Sequence, residues 1–262
     1  MPAHALLPAV NRLLKQVEET SGLPVAVAQQ SDLSTLATLR PATPQYQAHV
    51  IAYRDADEAS SYHVAFEAAL LLRIVQVPPE QRVNLSEKRD AREKVISQVE
   101  KLVKGSLSLA LARKAGLGFY DGLMVQLRST GPGLWADRWL FEQVPELRGL
   151  QAAVLQSQVQ GNVPCLNAEV DKMGPADVVK ASRAMNAAYA FQAAELVGIP
   201  PLAIPYQAAG FEALARELIA ITGAEPATAD PDREIVDGWA EKLGLSRWYA
   251  GRRPDGRHGV HD

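Results

Sequence analysis

Twelve consecutive residues, Val64 to Val75 (VAFEAALLLRIV), contain only two that are not apolar, Glu67 and Arg73. A carboxylate in such a run belongs to a helix that should be buried, where an unpartnered charge costs several kcal/mol or takes up a proton. A chain keeps such a group for a partner, a metal or a reaction. His63 precedes Glu67 by four residues, so on a helix the two side chains share a face. Three chemistries are open to the pair: a hydrogen bond that satisfies the carboxylate, a shared metal ion, and proton transfer.

The segment Phe66-Glu67-Ala68-Ala69-Leu70 stands in the frame of an HExxH zinc helix, with both histidine positions replaced by apolar residues. In such helices two imidazoles one turn apart bind the metal, and the glutamate beside the first acts as general base toward a bound water. With the strand ending in VIAY, the tyrosine entry at Tyr62, the small residues Ala68 and Ala69, and Leu71-Leu72-Arg73 beyond, the region Leu23 to Val77 resembles the minimal gluzincin, IrrE/ImmA-like, zinc metallopeptidase domains. The resemblance implies a third, acidic ligand on a downstream helix, for which Asp137 in LWADRWL is the candidate. Phenylalanine and leucine offer zinc no lone pair, so the expectation is a catalytically inactive protein of this type, with no cofactor. It would serve as an interaction or regulatory module with a protein partner, in a bacterial stress or defence setting. The alternative is a metal-dependent hydrolase using zinc or another divalent metal on His63, Glu67 and Asp137. Arg73 lies six residues after Glu67 and off its face, which leaves Arg128 and Arg138 as candidate partners that replace the metal.

Other chemistry is sparse. There is no Walker A sequence and no GxSxG elbow, and the glycines of GLGFYDG (Gly116 to Gly122) are not spaced as a dinucleotide fingerprint. The single cysteine, Cys165, excludes an intrachain disulfide and reads as an apolar filler. His49 and His4 read as surface or capping residues, and His258 and His261 lie in a Gly- and Arg-rich tail. Arg247, Trp248, Arg252 and Arg253 in that tail form the one basic and aromatic cluster, which supports a third reading as a nucleic-acid adaptor.

These residues need elements to position them. Apolar residues at Leu6, Leu7, Val10, Leu13, Leu14 and Val17 predict a helix from about Ala5 to Thr20 that stops at Gly22. LPVAVAQ (Leu23 to Gln29) and AHVIAY (Ala48 to Tyr53) read as strands, and SDLSTLATL between them as a short helix capped by Ser31 or Asp32. The helix carrying Glu67 is expected from about Asp57 to Gln76, ended by Val77-Pro78-Pro79. Helical stretches follow at about Ser86 to Lys114, Gly118 to Arg128, Leu134 to Gln143, Glu146 to Gln160, Pro175 to Val197, Gln207 to Thr222 and Asp232 to Leu243.

The expected fold class is therefore α+β, mainly α, with a small N-terminal β-sheet, a zincin-like helix and a C-terminal multi-helix lobe. The 262 residues are read as a single domain, with 1–80 as the α/β core, 81–245 as the helical lobe and 246–262 as a flexible tail. At 47% hydrophobic residues the chain can build a proper core, and a net charge of -3 gives no whole-molecule attraction to nucleic acid or anionic membrane. No apolar run approaches the length of a membrane span and the start has no secretory leader pattern, so a cytoplasmic protein with no membrane partner is expected.

Overall fold

The computed structural model describes residues 5–82 and 84–252. It is mainly helical, α+β, as expected. In chain order the elements are α1 (Pro8–Ser21), β1 (Val25–Gln29), β2 (Ala37–Arg40), β3 (His49–Tyr53), α2 (Ala59–Gln76), β4 (Asn84–Glu87), α3 (Arg89–Leu102), α4 (Leu109–Gln143), α5 (Arg148–Asn162), α6 (Ala168–Met173), α7 (Ala176–Val197), α8 (Ile204–Ala208), α9 (Glu212–Thr222), α10 (Pro231–Leu243) and β5 (Tyr249–Arg252). The chain divides into two compact units. One takes in the chain up to Pro79 together with Trp135–Gln156, the other Glu80–Leu134 and the chain from Ser157.

In the first unit α1 ends where Gly22 adopts φ 71°, a left-handed conformation that glycine reaches without Cβ strain, and its N–H closes on the Glu18 carbonyl. The sheet has the order β1-β3-β2. Strand β1 pairs parallel to β3, from Val25 opposite His49 to Gln29 opposite Tyr53, and β2 pairs antiparallel to β3, from Ala37 opposite Tyr53 to Arg40 opposite Val50. The segment expected as a short helix thus contributes β2 instead. Its Thr38 and Leu39 fit a half-exposed edge, and the ladder hydrogen bonds of β3 on that side would otherwise be unmet. The core joins Val10, Leu13 and Val17 of α1, Ile51 of β3, Val64, Ala68 and Leu71 of α2, and Ala136 and Leu140 of α4.

In the second unit α4 runs through five glycines and Pro132 without stopping, where separate helices were expected. Two of those glycines serve close approach. A Cβ at Gly116 would stand 2.7 Å from the Ile96 Cα of α3, and one at Gly131 would stand 2.4 Å from the Ile235 Cγ2 of α10. The small residues of α7, among them Ala184, Ala187, Ala188 and Ala190, are buried, and Gln192 is buried with them. Trp239 of α10 is fully buried and its indole N–H donates to the Leu218 carbonyl at 2.9 Å and to Thr222 at 3.1 Å.

The tail expected to be flexible is partly structured. β5 pairs antiparallel with β4, and Trp248 is buried, stacked on Tyr120 with ring centroids 5.8 Å apart. Tyr120 also donates its hydroxyl to the Trp248 carbonyl at 2.7 Å. Apolar burial of Trp248 and Tyr249 is what fixes this segment. Arg253, His258 and His261 lie outside the described residues, as does His4.

Candidate functional site

Helix α2 presents two faces with different chemistry. With 3.6 residues per turn, Tyr62, Ala69 and Arg73 fall on one stripe, and Glu67 lies about 140° round the helix from Tyr62. The first stripe is buried against the last turns of α4. Arg73 lies 4.2 Å above the Trp135 ring, and the Tyr62 hydroxyl donates to Asp137 Oδ1. Gln151 of α5 completes the knot, donating from Nε2 to the Asp137 carbonyl at 2.8 Å and to Oδ1 at 3.4 Å. Asp137 is 2% exposed. Burial pushes its carboxyl up to about 7, against the Tyr62 and Gln151 hydrogen bonds, which favour the carboxylate.

The second stripe carries His63, Phe66, Glu67, Leu70 and Ile74, all half-buried. Phe66 and Leu70 pack against the core cluster of this unit. Glu67 makes no hydrogen bond and no ion pair among the described residues, and burial alone pushes its carboxyl up to about 7. His63 does not bond to it either. Its ring meets the Tyr62 ring edge-on, with centroids 5.5 Å apart. Burial lowers the His63 pKa, with Asp57 and Asp55 pulling the other way. The hydrogen-bonded His63–Glu67 pair is therefore not formed.

The residues singled out in the sequence are gathered only in part. The structure unites Asp137 with Tyr62 and places Phe66, Glu67 and Leu70 on one face, but it puts Asp137 and Glu67 against different stripes of α2. Among the described residues no three His, Cys, Asp or Glu side chains converge as a metal site. Phe66 and Leu70 supply no donor atoms, so the residues in the zinc-helix frame do not fit the ion. Arg128, expected as a partner for Glu67, instead faces Glu87 at 3.5 Å in the second unit. Arg138, on α4 beside Asp137, does not pair with Glu67 either, since that carboxyl has no ion pair. Of the tail cluster, Arg247 is exposed while Trp248 is buried, and Arg252 lies in β5. His49, read as a surface or capping residue, is buried and not on the surface, and its Nδ1 accepts from the backbone N–H of Ala42 at 2.9 Å.

Sequence reasoning missed Tyr62 as a hydrogen-bond donor and Gln151 altogether. The signal for Tyr62 was present, because a tyrosine on the apolar side of a buried helix needs a polar partner for its hydroxyl. It also missed a cleft of about 270 Å³ in the second unit, lined by residues that include Gly118, Gly122 and Gln126 of α4, Cys165, and Ser182 of α7. No protein-family model, curated protein or solved structure matches this chain.

Proposed function

We propose that the protein is a non-catalytic, metallopeptidase-like module of the gluzincin type that acts through contact with a protein partner in a regulatory role. The observation that carries the reading is the α2 face itself. Glu67 keeps the position of a general base, while the two flanking positions that would hold a metal are Phe66 and Leu70, packed on the core. The acid offered by α4 supports the same reading, because Asp137 is engaged by Tyr62 and Gln151 and is turned to another stripe of the helix.

One observation favours a second reading as an enzyme. A carboxyl held near 7 with no partner has the property required of a general base at neutral pH. Metal analysis of the full chain, purified without a histidine tag and incubated with zinc, manganese or iron, separates the two. The module reading expects less than about a tenth of an equivalent after gel filtration, the level of adventitious binding without a closed ligand set. About one equivalent, lost on His63→Ala or Glu67→Ala together with hydrolysis of a peptide substrate, would overturn it.

A further inference from the structure

The turn between α3 and α4 exposes more apolar surface than any packing role explains. Of the eight large apolar side chains exposed among the described residues, four lie within the stretch 102–111: Leu102, Leu107, Leu109 and Leu111, the third of them 67% exposed. The turn is ordered. Gly105 takes φ 85°, the Val103 carbonyl accepts from the N–H groups of Ser106 and Leu107, and the Ser108 hydroxyl accepts from the Leu111 N–H in the first turn of α4. Beneath it Val99, Val103 and Ala112 form a small core with Ala115 and Phe119, and Gly116 seats α4 directly on Ile96 of α3. The leucines are therefore held outward at the tip of a firm helical hairpin.

The sequence through the turn carries charge of one sign. From Lys101 to Tyr120 the sequence holds four basic residues and no Asp or Glu, in a chain whose net charge is -3. Arg113 is occupied by Glu93 at 3.2 Å and Glu100 at 3.0 Å. Lys101, Lys104 and Lys114 are exposed and, among the described residues, make no ion pair. Protein interfaces are depleted in lysine and draw their energy from aromatic residues and arginine. Exposed aliphatic side chains in one turn with exposed lysines that make no ion pair instead match a lipid surface, where leucine enters the acyl boundary and the ammonium groups meet anionic headgroups.

We propose that the α3–α4 turn docks the protein reversibly on an anionic membrane surface, with Leu107, Leu109 and Leu111 inserted and Lys101, Lys104 and Lys114 on the headgroups. This departs from the expectation of no membrane partner, which rested on the whole-molecule net charge and the absence of a membrane-length apolar run, neither of which reports the local distribution of charge and exposed leucines. It is independent of the reading of α2.

Co-sedimentation of the full chain with large vesicles provides the test. The protein should pellet with phosphatidylcholine vesicles containing about 30% phosphatidylserine at about 0.1 M salt, and should be released at about 0.5 M salt or from pure phosphatidylcholine. Lys101→Glu with Lys104→Glu should weaken binding by at least about tenfold, given roughly fivefold for each lysine near such a surface. Leu107→Ser with Leu109→Ser and Leu111→Ser should abolish pelleting with the circular dichroism unchanged, while Val125→Ser and Ile204→Ser, at exposed positions elsewhere in the chain, should have no effect. No pelleting of the parent protein would overturn the proposal, as would pelleting that the leucine and lysine changes leave intact. A concentration-dependent dimer lost in the triple serine variant, without lipid binding, would reassign the tip to a protein contact.

Discussion

Replacing Glu67 by glutamine isolates the cost of keeping a carboxylate on the inner part of α2. Glutamine preserves the shape and stays neutral at every pH, so the difference between the two proteins reports the ionisation alone. The carboxyl moves from its ordinary 4.5 to about 7 in the folded chain. Because the folded pKa lies above the unfolded one, the native state holds the extra proton between those values. The wild-type protein is then at full relative stability below pH 4.5, loses stability as pH rises, and levels off above pH 7. At about 1.4 kcal/mol per unit the loss is about 3 kcal/mol, and some remaining solvent contact reduces it to about 2 kcal/mol. Glu67→Gln should therefore match the parent below pH 4.5 and exceed it at pH 8. For a chain of this size the gain corresponds to roughly 4 to 8 °C in Tm, read by thermal unfolding at pH 4.5 and pH 8. Equal Tm differences at the two pH values, or a less stable variant at pH 8, would refute the reasoning, since either would mean that the carboxylate is solvated or paired in the native state.

Tyr62→Phe removes a donor that favours ionised Asp137, so urea unfolding should show a cost of about 2 kcal/mol at pH 8 and a smaller one at pH 5, where Asp137 is already protonated. Gly116→Ala should destabilise by about 1 to 3 kcal/mol, because its Cβ meets the Ile96 backbone, whereas Gly118→Ala has open space around it and should gain up to about 1 kcal/mol from helix propensity. Deleting Ser246 to Asp262 removes buried Trp248 and the partner of β4, which should cost about 3 kcal/mol or more in thermal unfolding. Nucleic-acid binding by the tail is better tested with Arg247→Glu, an exposed position: a fall in affinity that shrinks with added salt is the expected result if Arg247 meets phosphate.

What was legible in the sequence follows the strength of local signals. Helix α1 shows its 3.6-residue stripe and its stop at Gly22, and β1, β3 and α2 are strongly apolar and bounded by turn residues, so each appears within a few residues of its expected place. β2 was hidden because Ala37–Arg40 has no strong preference of its own and becomes a strand through the unpaired edge of β3. β4 and β5 were hidden for a related reason. Each is four residues long, and they pair across more than a hundred residues of sequence, so no local pattern announces them. The glycines of α4 misled in the opposite direction. Two of them, Gly116 and Gly131, are instead points where Ile96 and Ile235 press on the helix and a side chain would not fit, while Gly118 and Gly122 sit in open space within an unbroken helix. At the site, the anomaly of Glu67 was visible from composition, but the partner of Asp137 was not, because Tyr62, Asp137 and Gln151 meet only once three separate helices have packed.

The division of α4 between two compact units has a consequence for the order of events at the ribosome. When Pro79 has been made, α1, α2 and the sheet still lack Trp135, Ala136 and Leu140, which reach the nascent chain only after the start of the second unit has been synthesised. At 5 to 20 residues per second, the roughly 80 residues from Pro79 to Gln156 leave the apolar side of α2 uncovered for roughly 4 to 16 seconds. During that interval the nascent chain exposes apolar surface that the finished unit buries. A fragment ending near residue 80 would stay in that state permanently.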